Sequence, residues 1–495
     1  MRKKSNPKAV DGDSRAANPF STEQYSPQKK RANESTGFDV DELNEFYSLV
    51  MVSGRTIVLE ENWKRRGRTA TPQHEWLRYI SVDGFKQWHA NRTILIGDRR
   101  RSAGQLWLTH PGRRQYQGFT FDPSKSPGGG EPGGYYNLWQ GYTVERNPNG
   151  SCSIFMDHIR TNVANGNEGH ANFIIGTLAD MFQNPTDRKG IALVLRGRMG
   201  TGKTVLGQHI GRLIEGNYVL VSSPRHIVGH FNTHLSGALF IQADEGFWAG
   251  DKAAEGVLKS LITSDTNQIE MKGKDPVQVK NYVHLLITSN SSWAVPAGLE
   301  ERRFAVFDVG DHCMQDHEYF GNMAAELNDG GYGALLDLLL TFKTGSINLR
   351  QVPSTSALFE QKLSSLSTEY SWWLTCLQRG WVSAPDGHQV ADTEPPPDHW
   401  PAETEKPRAF ASYIAFCEQI GERYRKTPPL LGTELNRLVR NLRHGRVTVG
   451  DTRPHVYRFP PLEECRRDFE EMIGAMIDWE TGELLPGPSI DDEGA

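Results

Sequence analysis

The octet Gly197-Arg198-Met199-Gly200-Thr201-Gly202-Lys203-Thr204 stands between an apolar run, Ile191 to Arg196, and a stretch of helical character, Val205 to Ile214. A strand that breaks into a glycine-rich turn and resumes as a helix fixes a βα unit. It also leaves successive backbone N–H groups and the helix N-terminus facing whatever sits in the turn, a ready cradle for phosphates. Gly197, Gly200 and Gly202 let the backbone turn tightly and approach a ligand closely. Lys203 is placed to reach β and γ phosphates, and the Thr204 hydroxyl to complete the coordination of Mg²⁺. The octet therefore predicts ATP and Mg²⁺ as ligands, with a purely structural glycine-rich turn as the alternative.

The sequence beyond the octet fits such a site. Short apolar runs at Ile191 to Leu195, Tyr218 to Val221, Ala238 to Ile241, Val283 to Thr288 and Phe304 to Val309 alternate with helical segments, which predicts an α/β fold with a mostly parallel sheet covered by helices. The third run leads into Asp244-Glu245. On this reading its strand lies beside the phosphate-loop strand, Asp244 suits Mg²⁺ and Glu245 suits activation of water. The fourth run ends in Ser289-Asn290, where the Asn290 amide is expected to sense a γ-phosphate and orient the attacking water. Before the fifth run stands Glu300-Glu301-Arg302-Arg303. One of these arginines is expected to stabilise charge on a transferring phosphoryl group, and a salt bridge to Glu300 or Glu301 is the alternative.

Between the acidic strand and the Asn290 strand, Gly273 separates Lys272 from Lys274 in a segment that reads as a β-hairpin with two cations at its tip. Within an ATPase core this suggests a moving DNA contact, whereas lysines on a turn are ordinarily just solvated. The net charge of −5 supplies no general attraction to nucleic acid, so any contact must come from such local patches.

Around this core, residues 1–38 are poor in aliphatic side chains and read as a tail, 39–180 as an α+β domain, 181–345 as the P-loop core, 346–405 as a helical segment and linker, 406–480 as a winged-helix-like domain, and 481–495 as an acidic tail. A hairpin is expected around Ser53-Gly54-Arg55. The aromatics Trp76, Trp88, Trp107, Tyr116, Phe119, Phe121, Tyr135, Tyr136 and Trp139 read as a core, with base stacking as the alternative. No apolar run is long enough to cross a bilayer and the N-terminus has no secretory signal, so a cytoplasmic location without membrane contact is expected. The five cysteines are scattered without a CxxC pair, which predicts reduced thiols and no structural metal.

The order of these motifs, with Lys272-Gly273-Lys274 between the acids and Ser289-Asn290, resembles superfamily 3 helicases. Within them it is most similar to the helicase domain of phage and plasmid primase-helicases, relatives of the poxvirus enzyme. Asn137-Leu138-Trp139-Gln140-Gly141-Tyr142, Gln183-Asn184-Pro185, Asn281-Tyr282-Val283 and Glu301-Arg302-Arg303-Phe304 extend the likeness over roughly residues 44–480. The resemblance implies an AAA+-like core, a hexameric homo-oligomer and 3′ to 5′ translocation on single-stranded DNA, with unwinding of forked DNA during phage or mobile-element replication. It gives Lys203 and Thr204 to ATP and Mg²⁺, Asp244 and Glu245 to hydrolysis, Asn290 to sensing, Arg302 or Arg303 to an arginine finger, and Lys272 and Lys274 to DNA. Too few residues precede the helicase-associated region for a primase domain, so a separate primase or polymerase is expected as partner. A competing reading is an ATP-switched origin-binding or loading module without strand separation. In it Arg437, Arg440, Arg443, His444 and Arg446 of the winged-helix-like segment meet DNA phosphates, although a solvated helix face explains them as well.

Overall fold

The computed structural model describes residues 38–52, 54–62, 64, 76–127, 129–130, 134–222, 237–245, 252–269, 277–299, 301–382, 400–448, 450–482 and 484–485. Two compact units emerge: residues up to Thr120 with Gly128–Asn137, and Phe121–Pro127 with Leu138 onward.

In the first unit α1 (Val40–Asn44) precedes the expected hairpin, in which β1 (Tyr47–Val52) runs antiparallel to β2 (Arg55–Glu61) with Val52 opposite Arg55. Adding β3 (Leu77–Ser81) and, after α2 (Val82–Trp88), the ribbon β4 (Thr93–Ile96) and β5 (Arg99–Ser102) and α3 (Ala103–Thr109), β6 (Gln115–Tyr116) completes a four-stranded sheet of order β3-β2-β1-β6. The parallel pair β7 (Gly118–Thr120) and β8 (Tyr135–Asn137) stands apart. Tyr47, Phe85 and Trp107 meet in the core, where Tyr47 and Phe85 pack edge to face with centroids 5.0 Å apart. Trp76, Tyr116 and Tyr136 are also buried, as a core reading of the aromatics requires, but Trp88 is 74% exposed.

The second unit is built on α4 (Ser153–Asp157), which runs on into a wider helical turn at His158–Val163, and on α5 (Glu168–Gln183). The expected boundary at 180/181 falls inside α5. A five-stranded parallel sheet comes next: β9 (Ala192–Arg196), β10 (Tyr218–Val221), β11 (Phe240–Asp244), β14 (His284–Ser289) and β15 (Phe304–Asp308), in the order β10-β11-β14-β9-β15. Its central strands are buried along nearly their whole length, as a sheet covered on both faces demands. α6 (Lys203–Arg212) packs on β10, β11 and β14, and α7 (Lys252–Thr263) leads to the antiparallel ribbon β12 (Thr266–Ile269) and β13 (Val277–Lys280).

The topology corrects one expectation. The acid-bearing strand β11 is not beside the strand β9 that leads into the octet, because β14, with Asn290 just beyond its end, is inserted between them. Sequence order cannot reveal this, since β14 enters the sheet only after the α7 and ribbon excursion.

After β15 come α8 (His317–Glu326), α9 (Tyr332–Thr341), α10 (Ser356–Ser364) and α11 (Thr368–Arg379). The C-terminal part combines β16 (Glu403–Glu405), α12 (Lys406–Gln419), α13 (Pro428–Leu438), β17 (Arg443–Arg446), β18 (His455–Arg458) and α14 (Leu462–Ile473) around Trp373, Tyr413 and Phe469. Here the helices α12 and α13 are followed by the β17–β18 ribbon, in which Arg446 pairs with His455. All five cysteines are free and buried. Among the described residues no helix is long and apolar enough to cross a membrane.

Candidate functional site

β9 ends at Arg196, whose guanidinium is pinned by Asp308 (2.6 Å), Glu360 (2.6 Å) and the Ser292 carbonyl (2.9 Å). From this fixed point the chain turns through the octet, with left-handed φ of 83° at Gly200 and 86° at Gly202, values that disfavour any side chain. A Cβ at Gly202 would also stand 2.6 Å from the His158 ring, so both conformation and space demand glycine. α6 then starts at Lys203.

Lys203 is only 5% exposed, and its Nζ donates to Gly197 O (2.8 Å), Arg198 O (2.6 Å) and Asn290 Oδ1 (2.8 Å). Burial pulls its pKa below the ordinary lysine value, against the opposing pull of Glu245 and Asp244. Thr204 Oγ1 donates to Asp244 Oδ1 at 3.1 Å, and Thr288 Oγ1 donates to the same oxygen at 2.5 Å. Asn290 N donates to Glu245 Oε1 at 3.0 Å, and Glu245 itself takes a left-handed φ of 52°. For a non-glycine residue that is a strained conformation of the kind that gathers at functional sites. Lys203, Thr204, Asp244, Glu245 and Asn290 all line one cavity of about 470 Å³, joined by Met199, Gly200, Thr201 and Gly202 of the octet. An ammonium, a hydroxyl, two carboxylates and an amide around such a volume suit a polyanion bound with a hard cation.

Several contributors to this cavity escape sequence reasoning. Gln315, His317 and Phe320 close one side, with Gln315 N donating to Gly200 O at 3.0 Å. Asn162, from the wide helical turn, donates to Thr201 O at 2.7 Å and accepts from Gly310 N at 2.8 Å, so it ties the loop to the segment after β15. Gln242, fully buried within β11, donates to Thr204 O at 3.0 Å and accepts from Tyr218 OH at 2.6 Å. Only Gln242 carries a signal in the sequence, as a polar residue inside an apolar run. The others come from distant segments with no motif of their own.

The remaining candidates lie elsewhere. Ala192 N donates to Arg303 O at 2.7 Å, which sets Arg302 and Arg303 beside the start of β9, whereas the octet leaves from its end. The strand's five residues separate them from the loop by roughly 16 Å at about 3.3 Å per residue. Arg303 pairs with Glu301 at 3.3 Å, and Arg302 is exposed. Lys272 and Lys274 lie outside the described residues. In the C-terminal part Arg437 pairs with Glu434, Arg440 with Asp468 and Glu471, and Arg446 with His455. A larger cavity, about 600 Å³, lies at the base of the β12–β13 ribbon. Its Arg188 is committed to the carbonyls of Leu261, Ile262 and Ser264.

Residues 195–303, which span the octet, both acids, Asn290 and Arg302, match a family of unknown function, DUF5906. The chain is similar to a protein named DNA Primase-polymerase from Nitratiruptor phage NrS-1, 26% identical over 149 residues. That match covers 30% of this chain and 20% of the relative, so the chain spans only about a fifth of that protein's length. The apo structure of the C-terminal region of NrS-1 superposes with a TM-score of 0.59 at 17% identity, covering 85% of this chain and 98% of that one. A second apo structure of the same region, its A form, gives 0.58 at 16% identity with the same coverages. At that identity the likeness shows a shared fold.

Proposed function

We propose that this chain is an ATP-driven motor of the superfamily 3 helicase type, which assembles as a ring, translocates on single-stranded DNA and separates duplex during phage or mobile-element replication. The observation that carries the reading is the convergence of Lys203, Thr204, Asp244, Glu245 and Asn290 on one cavity at the C-terminal ends of β9, β11 and β14. The insertion of the Asn290 strand between the loop strand and the acid strand supports an AAA+-like core, because it lets one residue reach both acid and lysine: the Asn290 side-chain oxygen accepts from Lys203 and its backbone N–H donates to Glu245. The phage relative's name supports the replication setting.

In this reading Lys203 holds the β and γ phosphates of ATP and exchanges its loop carbonyls for phosphate oxygens. Thr204 Oγ1 and Asp244 Oδ1 present oxygen donors 3.1 Å apart, suited to Mg²⁺, which supplies neutralisation of phosphate charge when bound. Glu245 accepts a proton from the attacking water, and Asn290 fixes both the water and the Glu245 carboxylate. Arg302, far from its own chain's cavity, serves a neighbouring subunit, which makes turnover depend on ring assembly.

Strand displacement on a forked DNA, coupled to DNA-stimulated ATPase, tests the proposal. Lys203→Ala is expected to lower turnover by about a hundredfold or more, the usual cost of losing one group aimed at developing charge. Duplex binding and ATP turnover without displacement would instead favour the origin-binding module.

A further inference from the structure

The first unit exposes a feature unrelated to the cavity. In the β4–β5 ribbon Ile94 and Ile96 pack toward the core, and their cross-strand partners are Arg101 and Arg99, while Leu95 stands opposite Arg100. Arg99, Arg100 and Arg101 are all exposed, and among the described residues none of them has an ion pair. Three other arginines of the unit are neutralised, Arg92 by Glu42, Arg78 by Glu60 and Arg114 by Glu61, and Arg113 is held by Gln115 and the Leu108 carbonyl, so among the described residues three neighbouring guanidiniums without a partner are concentrated on this ribbon. The ribbon carries one acid, Asp98, at its turn.

The base of the ribbon is tied to the end of α2, since Arg92 N donates to His89 O and Ala103 N to Arg92 O. His89 is anchored against Tyr47 and Phe85, and the residue before it, Trp88, is 74% exposed; Leu95 on the ribbon is 62% exposed. A charged ribbon that merely discouraged strand-to-strand association would need a single lysine or arginine and would not display an indole and a leucine. Three unpaired guanidiniums and an open indole match the two features of a single strand, its phosphates and its base faces. Arg99 and Arg101, two residues apart on a strand, stand about 7 Å from one another, comparable with the step between phosphates of an extended single strand.

We propose that the β4–β5 ribbon and the end of α2 form a second single-stranded DNA surface, on which Arg99 and Arg101 bind successive phosphates from one face of the ribbon, Arg100 adds its charge from the other, and Trp88 stacks on a base. The inference rests on the motor reading for the identity of its ligand, and it places a DNA contact outside the ATPase core.

The test is fluorescence anisotropy of a labelled oligothymidine with the full chain, without nucleotide, across a salt series. Removing one arginine from a phosphate costs about fivefold at 0.1 M salt, so R99Q/R100Q/R101Q is expected to bind up to about a hundredfold more weakly, with a salt slope smaller by about 2. Trp88→Ala is expected to weaken binding by about fivefold to a hundredfold at unchanged slope. Basal ATPase and thermal unfolding should be unaffected, since all four side chains are exposed. A wild-type chain that binds no single strand, or a triple variant with unaltered affinity and slope, overturns the proposal. Intact binding without strand displacement would count against the motor alone.

Discussion

In the first unit β2 runs antiparallel to both its neighbours and carries Glu60 and Glu61 into the interior, where Glu61 takes Arg114 (2.6 Å), Lys64 (2.8 Å) and the Tyr136 hydroxyl (3.1 Å). In the second unit β9, β11 and β14 are apolar along most of their length and turn polar at their C-terminal ends, where Lys203, Asp244 and Asn290 gather. Parallel strands bring all their C-terminal ends to one edge, so charge placed there faces a shared opening. An antiparallel sheet offers no such edge, and its buried charges must satisfy one another. The same residue types are thus spent on buried pairs in one unit and gathered around an open cavity in the other.

Arginine substitutions test the contrast most severely. Arg302→Ala is expected to lower ATPase by about a thousandfold, the scale of a lost arginine finger, at an unchanged unfolding midpoint. Mixing that variant with Lys203→Ala subunits should restore part of the activity at shared interfaces, and no recovery at any ratio would count against action in trans. Glu61→Ala should do the reverse. It strands Arg114 without a counter-charge in the first unit, costs about 3–5 kcal/mol in denaturant unfolding and leaves turnover per folded molecule unchanged. A loss of turnover with no loss of stability would erase the distinction between the units.

Acid offers a gentler probe. Burial lowers the pKa of His158 and His209 to about 4 and that of His284 to about 3. The unfolded chain takes up these protons near pH 6.5, well before the folded chain does, so stability is lost as pH falls from about 6.5 toward 4. At pH 5 the loss should be about 2 kcal/mol per histidine, read from urea unfolding at pH 7 and pH 5. His284→Gln should reduce that dependence by about a third, and a flat wild-type profile would show that these histidines are not buried neutral.

Much of the second unit was legible because its signals are local. Each of the five core runs matches an observed strand to within about three residues, and the octet, Asp244-Glu245 and Asn290, picked out by type and position, line one cavity. Strand adjacency was not legible, since β14 slips between β9 and β11 only through a long-range register. Nor were Gln315 and His317, which reach the cavity, or Asn162, which holds the loop through Thr201 O; all three come from segments that have no period or motif. The Arg302 and Arg303 pair was visible, but its distance from the loop comes from parallel pairing at the start of β9, a three-dimensional fact. In the first unit the aromatics signalled a core correctly, yet composition could not separate buried Trp107 from exposed Trp88.

If the cavity takes ATP as proposed, the hold that Gly197, Arg198 and Asn290 keep on Lys203 has a consequence for selectivity. An incoming anion does not meet a bare cation; it must replace oxygens already in place. A ligand with one weakly charged group exchanges like for like and gains little, so inorganic phosphate and monophosphates should compete poorly. A polyphosphate that engages the ammonium, the loop backbone and the Thr204–Asp244 pair at once gains on every front. On the proposed reading the loop thereby screens its ligands by how many phosphates they carry before the shape of the rest of the molecule matters.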